Sequence, residues 1–236
     1  MPPGPTAREA ELEQALSAVR RRIADGCSAA GRDPAGVTLV VVTKTYPASD
    51  VRILAGLGVR EVGENKDQEA APKAAETSDL DLHWHFVGRL QSNKARHVAR
   101  YASSVHSVDR PSLLTPLGRG AHEANRAVGC FVQVSLDGDT SRGGALPGAD
   151  VSSLADGIVA TEGLTLAGVM AVAPLGADPD EAFARLRAES ERLRETHPQA
   201  TAISAGMSGD LEAALRHGAT HLRVGSAVLG ERPPLR

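Results

Sequence analysis

Val37-Thr-Leu-Val-Val-Val-Thr43, followed at once by Lys44, is the stretch on which the reading of this chain turns. A nearly continuous β-branched run of this kind marks a parallel strand covered on both faces, because a strand with one wet face would alternate polar and apolar residues. Upstream, Leu12, Leu16, Val19, Ile23 and Cys27 recur at steps of four, three, four and four, which puts them on one stripe of a helix. The spacing predicts a helix from about Ala7 to Ala30, with Gly31 as its stop. Downstream, strand-like segments lie near residues 59–63, 82–87, 104–108, 129–135, 164–172, 201–204 and 221–224, which makes eight with the first. Stretches with helical spacing separate them, such as Val51, Leu54 and Leu57, or Phe183, Leu186, Ser190 and Leu193. Eight strands alternating with helices predict an α/β chain folded as a single (β/α)8 TIM barrel with an extra N-terminal helix, one domain over residues 1–236. A doubly wound open sheet is the alternative, but no G-x-G-x-x-G follows the first strand.

Composition narrows the function. With 236 residues, 42% hydrophobic and 23% charged, the chain can bury a full core and is neither disordered nor fibrous. Its 26 basic and 29 acidic residues leave a net charge of -3, without the broad positive field that non-specific nucleic-acid binding needs. Cys27 and Cys130 form no CxxC pair, so neither a disulfide framework nor a cysteine zinc site is expected. The start, Met-Pro-Pro-Gly-Pro, lacks an apolar signal core, and the longest apolar stretch is interrupted by Thr38. The expectation is a cytoplasmic protein without membrane contact.

In a barrel of this type the chemistry gathers where strands end at their C-terminal side. Lys44 sits there; partial desolvation would favour the neutral amine that attacks an aldehyde, although a lysine that snorkels to solvent is as good a reading of this residue alone. Asn65, after Gly63-Glu64, is a helix cap or an amide turned toward a ligand, with capping the better reading in isolation. His83 and His85 share one strand face, but no third ligand at metal spacing accompanies them, so no metal is expected; Trp84 on the other face reads as core. The polar turn Gln91-Ser92-Asn93-Lys94 reads chiefly as the solvated opening of a helix. Ser204-Ala-Gly206-Met207-Ser208-Gly209-Asp210 and Arg223-Val-Gly225-Ser226 each offer small residues and free backbone N–H groups after the seventh and eighth strands, as a phosphate site would; two tight turns are the plain alternative. Barrel closure makes these turns neighbours of Lys44, and a phosphorylated aldehyde fits that constellation.

Together, Val42-Thr-Lys44-Thr-Tyr-Pro47, Gly63-Glu-Asn65, His85-Phe-Val-Gly88 with Leu90-Gln-Ser-Asn-Lys94, Val105-His-Ser-Val-Asp109, Gly206-Met-Ser208 with Asp210, and Arg223-Val-Gly-Ser226 stand in the order found in the pyridoxal phosphate homeostasis proteins. The chain resembles that family over nearly its whole length, and through it the barrel half of alanine racemase. The resemblance implies that Lys44 holds pyridoxal 5'-phosphate (PLP) as an internal aldimine, that Ser204, Ser208, Gly225 and Ser226 lie at or near the phosphate, and that Met207 is a further cofactor-binding residue. It also implies that Arg223 approaches the pyridine nitrogen, while Asn65 and His85 line the cofactor face and Asn93 and Lys94 stand further off. An arginine at that nitrogen does not readily give up its proton, so the ring would be a weak electron sink. Where many members of the family carry Ser-Lys-x-Gly after the fifth strand, this chain has Ser141-Arg142-Gly-Gly144, which removes a second aldehyde-accepting lysine from that place.

Three functions follow in order. The first is a non-catalytic PLP carrier that buffers the cofactor or hands it to apo-PLP enzymes, working as a monomer or weak dimer. The second is a PLP-dependent amino-acid racemase, which needs another acid or base across the cofactor. Tyr46 is too near Lys44 for that task and Tyr101 ends a helix away from the mouth, so His85 is the remaining candidate. Only 13 residues follow Arg223, too few for the second domain that completes alanine racemase. The third is a phosphosugar aldolase that uses Lys44 without a cofactor.

Overall fold

The computed structural model describes residues 6–230; the readings that rest on Met1–Pro5 and on the closing Pro233–Arg236 lie outside the described residues. Eight strands run parallel in sequence order: β1 (Thr38–Val42), β2 (Glu61–Glu64), β3 (His83–Phe86), β4 (Ala102–Val108), β5 (Val128–Gln133), β6 (Leu164–Met170), β7 (Ala202–Ser204) and β8 (His221–Val224). The pairing of β1 with β8, Val40 opposite Arg223, closes the ring. This is the (β/α)8 barrel expected from the strand tally.

The helices are α1 (Ala7–Ala29), α2 (Ala48–Gly56), α3 (Asp67–Glu76), α4 (Ser92–Val98), α5 (Leu114–Glu123), α6 (Ala149–Val159), α7 (Pro179–Thr196), α8 (Leu211–Arg216) and α9 (Ser226–Leu229). The extra helix α1 starts where Thr6 Oγ1 accepts the Glu9 N–H at 3.2 Å, a side-chain N-cap. It ends beside Gly31, whose φ of +64° suits a residue without Cβ. Its stripe of Leu12, Leu16, Val19, Ile23 and Cys27 is buried as the spacing predicted. That stripe packs against α8 and α9, which follow the two phosphate-type turns. Arg22 ties the joint by donating to Glu212 at 2.9 Å and to the Ser208 carbonyl at 3.1 Å.

Successive side chains face opposite sides of each strand and both sides are covered, so β1, β2, β3 and β8 each end in three consecutive buried residues. Val41, Val62, Trp84, Val105, Cys130, Val169, Leu222 and Val224 join Leu54, Leu117, Leu186 and Leu211 in the shell between strands and helices, where the main hydrophobic core lies. Inside the ring, Phe131 shares space with His85, His106, Ser204 and Arg223, all buried. This barrel is therefore apolar around its wall and polar down its axis. Both cysteines are buried and unpaired, and burial pushes the Cys130 thiol up to about 12. Among the described residues no helix is long and apolar enough to cross a membrane.

Candidate functional site

A cavity of about 420 Å³ opens at the C-terminal ends of the strands. Its lining includes Lys44 and Tyr46 after β1, Asn65 after β2, Val87 and Gly88 after β3, Val172 after β6, Met207, Ser208 and Gly209 after β7, and Arg223, Gly225 and Ser226 on and after β8. Seven of the nine residues singled out in the sequence thus share one wall: Lys44, Asn65, Met207, Ser208, Arg223, Gly225 and Ser226. Ser204 and His85 do not. They lie deeper inside the barrel, Ser204 bonded to Arg223 and His85 bonded to Glu61 and His106. Tyr46, Gly88 and Val172 went unremarked as lining residues, since nothing in a local pattern reports which loops face one another across a mouth.

The turn that carries Lys44 is held from below. Thr43 Oγ1 donates to Glu64 Oε1 at 2.7 Å, and Lys73 Nζ donates to the same oxygen at 2.6 Å and to the Thr43 carbonyl at 2.9 Å. Thr45 adopts φ +73°, a region that a β-branched residue rarely enters, and its N–H donates to Glu69 at 3.0 Å. Strain at the residue after Lys44 is thus offset by bonds to α3 on both sides of it. Burial of Glu64 raises its pKa, against the opposing pull of Lys73.

Asn65 is not a cap: the cap position of α3 is Lys66, which makes no side-chain capping bond, so the Asn65 amide is left to the cavity wall. Its backbone is pinned by Gly88, where an added Cβ would come within 2.1 Å of the Asn65 carbonyl oxygen. Gly88 is required at this close approach of two strand-end loops.

On the far side, Ser226 Oγ donates to Ser208 Oγ at 3.2 Å, and the Ala227 N–H donates to Ser208 Oγ at 3.3 Å. Asp210 Oδ1 accepts the Met207 N–H at 2.6 Å and fixes the preceding loop. At the floor, Arg223 Nη1 donates to Ser204 Oγ at 2.5 Å and Nη2 to the Ala171 carbonyl at 2.9 Å. Among the described residues no carboxylate accepts from it, and burial lowers its pKa to about 10.

Asn93 and Lys94 line a separate hollow of about 720 Å³, which shares Asn65 with the first and is bordered by Lys66, Arg89 and Arg110. The turn opens α4 as expected, with Gln91 at the cap position and no side-chain capping bond. His83 and His85 both bond to Glu61, and among the described residues no group of three or more His, Cys, Asp and Glu could hold a metal. Arg142 is paired with Asp137 and Asp139 in the loop after β5.

The barrel places a lysine at the end of β1 opposite two hydroxyl-bearing turns after β7 and β8, and the family model of the alanine racemase N-terminal domain matches residues 15–233. The chain belongs to that family and, within it, to the pyridoxal phosphate homeostasis proteins. It is 47% identical over 244 aligned positions to the pyridoxal phosphate homeostasis protein of Mycobacterium bovis, covering 95% of this chain and 94% of that one. Among solved structures, PipY of Synechococcus elongatus with PLP bound is similar at 35% identity and a TM-score of 0.81, covering 93% of this chain and 100% of that one. Alanine racemase of Streptomyces coelicolor shares the fold at 19% identity and a TM-score of 0.71, with 93% of this chain matching 58% of that one.

Proposed function

We propose that this chain binds PLP in the cavity at the C-terminal mouth and serves to buffer or deliver it, without catalysing a reaction of its own. The observation that carries the reading is the single wall on which Lys44, Arg223, Ser208 and Ser226 meet. That donor set fits the ligand part by part. Ser208, Ser226 and the peptide groups around Gly209 and Gly225 suit a phosphate, while Lys44 supplies a primary amine. Arg223, a buried cation to which no carboxylate among the described residues is hydrogen-bonded, suits a ring nitrogen with a free lone pair. Bound PLP contributes an aldehyde that links reversibly to an amine. The chain's own residues do the rest: Ser208 and Ser226 orient, Asn65 and Met207 flank, and Arg223 keeps its proton at the ring nitrogen. Ser204 and His85 act from beneath, through Arg223.

The relatives' shared name and the PLP-bound PipY structure support the same ligand. The reading treats residues 1–236 as one cytoplasmic unit, monomeric or weakly dimeric, with apo-PLP enzymes as the recipients.

The test is borohydride reduction of the protein after exposure to PLP, followed by peptide mapping. A pyridoxyl adduct on Lys44 is expected, and it disappears in Lys44→Ala. An adduct confined to Lys66 or Lys94 would move the site to the neighbouring hollow, and no adduct with no visible absorbance would refute PLP binding.

A further inference from the structure

We propose that Glu61, at the N-terminal end of the barrel, is the counter-charge of Arg223 at the cavity floor, acting through Ser204, His106 and His85 as positioning residues. The four bonds form an unbroken line down the barrel axis. Arg223 Nη1 meets Ser204 Oγ at 2.5 Å, Ser204 Oγ meets His106 Nδ1 at 2.8 Å, His106 Nε2 meets His85 Nδ1 at 2.8 Å, and His85 Nε2 meets Glu61 Oε2 at 2.6 Å. Ser204, His106, His85 and Arg223 are all buried.

The two ends fix the direction of every bond between them. A guanidinium can only donate, so Ser204 accepts from Arg223 and has its own proton left to give to His106 Nδ1. His106 must then carry its proton on Nε2 and donate to His85 Nδ1. By the same logic His85 carries its proton on Nε2 and donates to Glu61, which as a carboxylate can only accept. Each ring is neutral in one tautomer, and each donor and acceptor in the line is used once. Reversing any single bond would set two protons or two lone pairs against each other.

The surroundings agree with a neutral middle and charged ends. His106 stacks on Phe131 at a centroid distance of 4.3 Å, and burial holds it neutral far below its ordinary range. His221, from β8, faces both rings at 6.1–6.3 Å and is likewise kept neutral, its pKa near 4, chiefly by burial. The Arg223 cation and the Glu61 carboxylate are the charges at either end of the line, and His83 donates to the second oxygen of Glu61 at 2.8 Å. Burial alone would raise the Glu61 pKa, but the bonds from His85 and His83 bring it down to about 2. Glu61 also borders an outer depression of about 400 Å³ with Arg20, Thr38 and Arg60, so the line joins the cavity floor to the opposite face of the barrel. A polarised chain of this kind strengthens its own bonds and holds the guanidinium in one orientation.

Two measurements decide the matter, and only the second rests on the PLP reading. In the protein without PLP, imidazole nitrogen NMR at neutral pH is expected to show His106 and His85 as Nε2–H tautomers. A Nδ1–H tautomer or an imidazolium at either position would overturn the line. In the PLP-loaded protein, Glu61→Gln keeps an acceptor for His85 but removes the charge. It is expected to weaken PLP retention roughly threefold to tenfold and to shift the pH midpoint of the bound chromophore, with Glu61→Asp restoring both. Unchanged retention and midpoint in Glu61→Gln would overturn the counter-charge role. Should that variant fold poorly by circular dichroism, Ser204→Ala, which cuts the line at its other end, must give the same spectral shift. A wild-type protein that takes up no PLP would sink the functional reading while leaving the tautomer result to judge the line.

Discussion

The Lys73 ammonium donates to the carbonyl oxygen of Thr43, the residue before the cavity lysine, at 2.9 Å, and the same ammonium pairs with the buried Glu64 at 2.6 Å. The Lys44 turn therefore hangs on an ion pair that sits outside the cavity. Lys73→Met would leave the Glu64 carboxylate buried without its counter-charge and with only the Thr43 hydroxyl donating to it, a loss of about 3–5 kcal/mol. The sign of its pH dependence follows from Glu64, whose pKa is raised by burial. The folded state holds that proton more tightly than the unfolded state, so the variant loses stability as pH rises above the ordinary carboxyl range. Urea unfolding across pH 4–7 checks it; a flat profile would mean that water reaches Glu64.

Arg223→Gln removes the cation at the cavity floor while keeping an amide donor for Ser204. A charge-assisted bond is worth about 1.5–3 kcal/mol, so PLP retention should fall at least tenfold and the absorption maximum should move. Dialysis against buffer, followed by a visible spectrum, reads both. An unaltered spectrum would assign Arg223 to holding β8 against the Ala171 carbonyl.

His221 predicts acid sensitivity. Its pKa falls to about 4, chiefly through burial, with the nearby Arg223 cation adding to the shift. Between the unfolded value of about 6.5 and the folded value, only the unfolded chain takes up this proton. Stability is complete above that window and is lost as pH drops through it, by roughly 3 kcal/mol for a shift of this size. In thermal melts from pH 7 to 4, wild type should lose this stability as pH falls through the window, whereas His221→Gln, which takes up no proton there, should lack that part of the acid loss.

Gly88→Ala drives a Cβ toward the Asn65 backbone. Displacing one strand-end loop should cost about 1–3 kcal/mol and release Asn65 from the cavity wall, seen together as a lower melting temperature and weaker PLP retention. Retention that survives a lowered melting temperature would show that Asn65 does not hold the ligand.

Racemisation separates carrier from enzyme. Removal and return of an α-proton on opposite faces needs two positioned groups, and Lys44 supplies one. Tyr46 donates its hydroxyl to the Gly230 carbonyl at 3.0 Å, Tyr101 bonds to Asp67 at 3.3 Å, and both ring nitrogens of His85 are engaged inside the barrel. Incubation of the PLP-loaded protein with L-alanine in deuterated water should give no enzyme-like exchange by NMR. Rapid exchange abolished by Tyr46→Phe would install the racemase instead.

The barrel was legible because Val37–Thr43 and the seven later runs are short, apolar and separated by helical spacing, a pattern with few competing folds. The cavity lysine and the two small-residue turns were legible for a related reason: strand ends in a parallel barrel all point to one mouth. His85 was not. As the third of four residues in β3 it read as a mouth residue, and only the register that sets Gly63 beside it and Ser204 against His106 shows that it belongs to the interior. Glu61 carried no signal at all, because a glutamate that opens a strand reads as a solvated end. Tyr46 and Gly88 depend on the approach of separate loops, which spacing along the chain does not encode.

The seam between β1 and β8 has a kinetic meaning as well. It joins segments from opposite ends of the chain, Val40 beside Arg223, so it carries the largest loop-closure entropy of any strand pair in the ring. Lys44 stands on one side of that seam and Gly225 and Ser226 on the other. The cavity is complete only once the ring has shut. A ligand held across it would bind the closed state and not its precursors, tightening the seam by mass action. Loading with cofactor then doubles as a report that folding has finished.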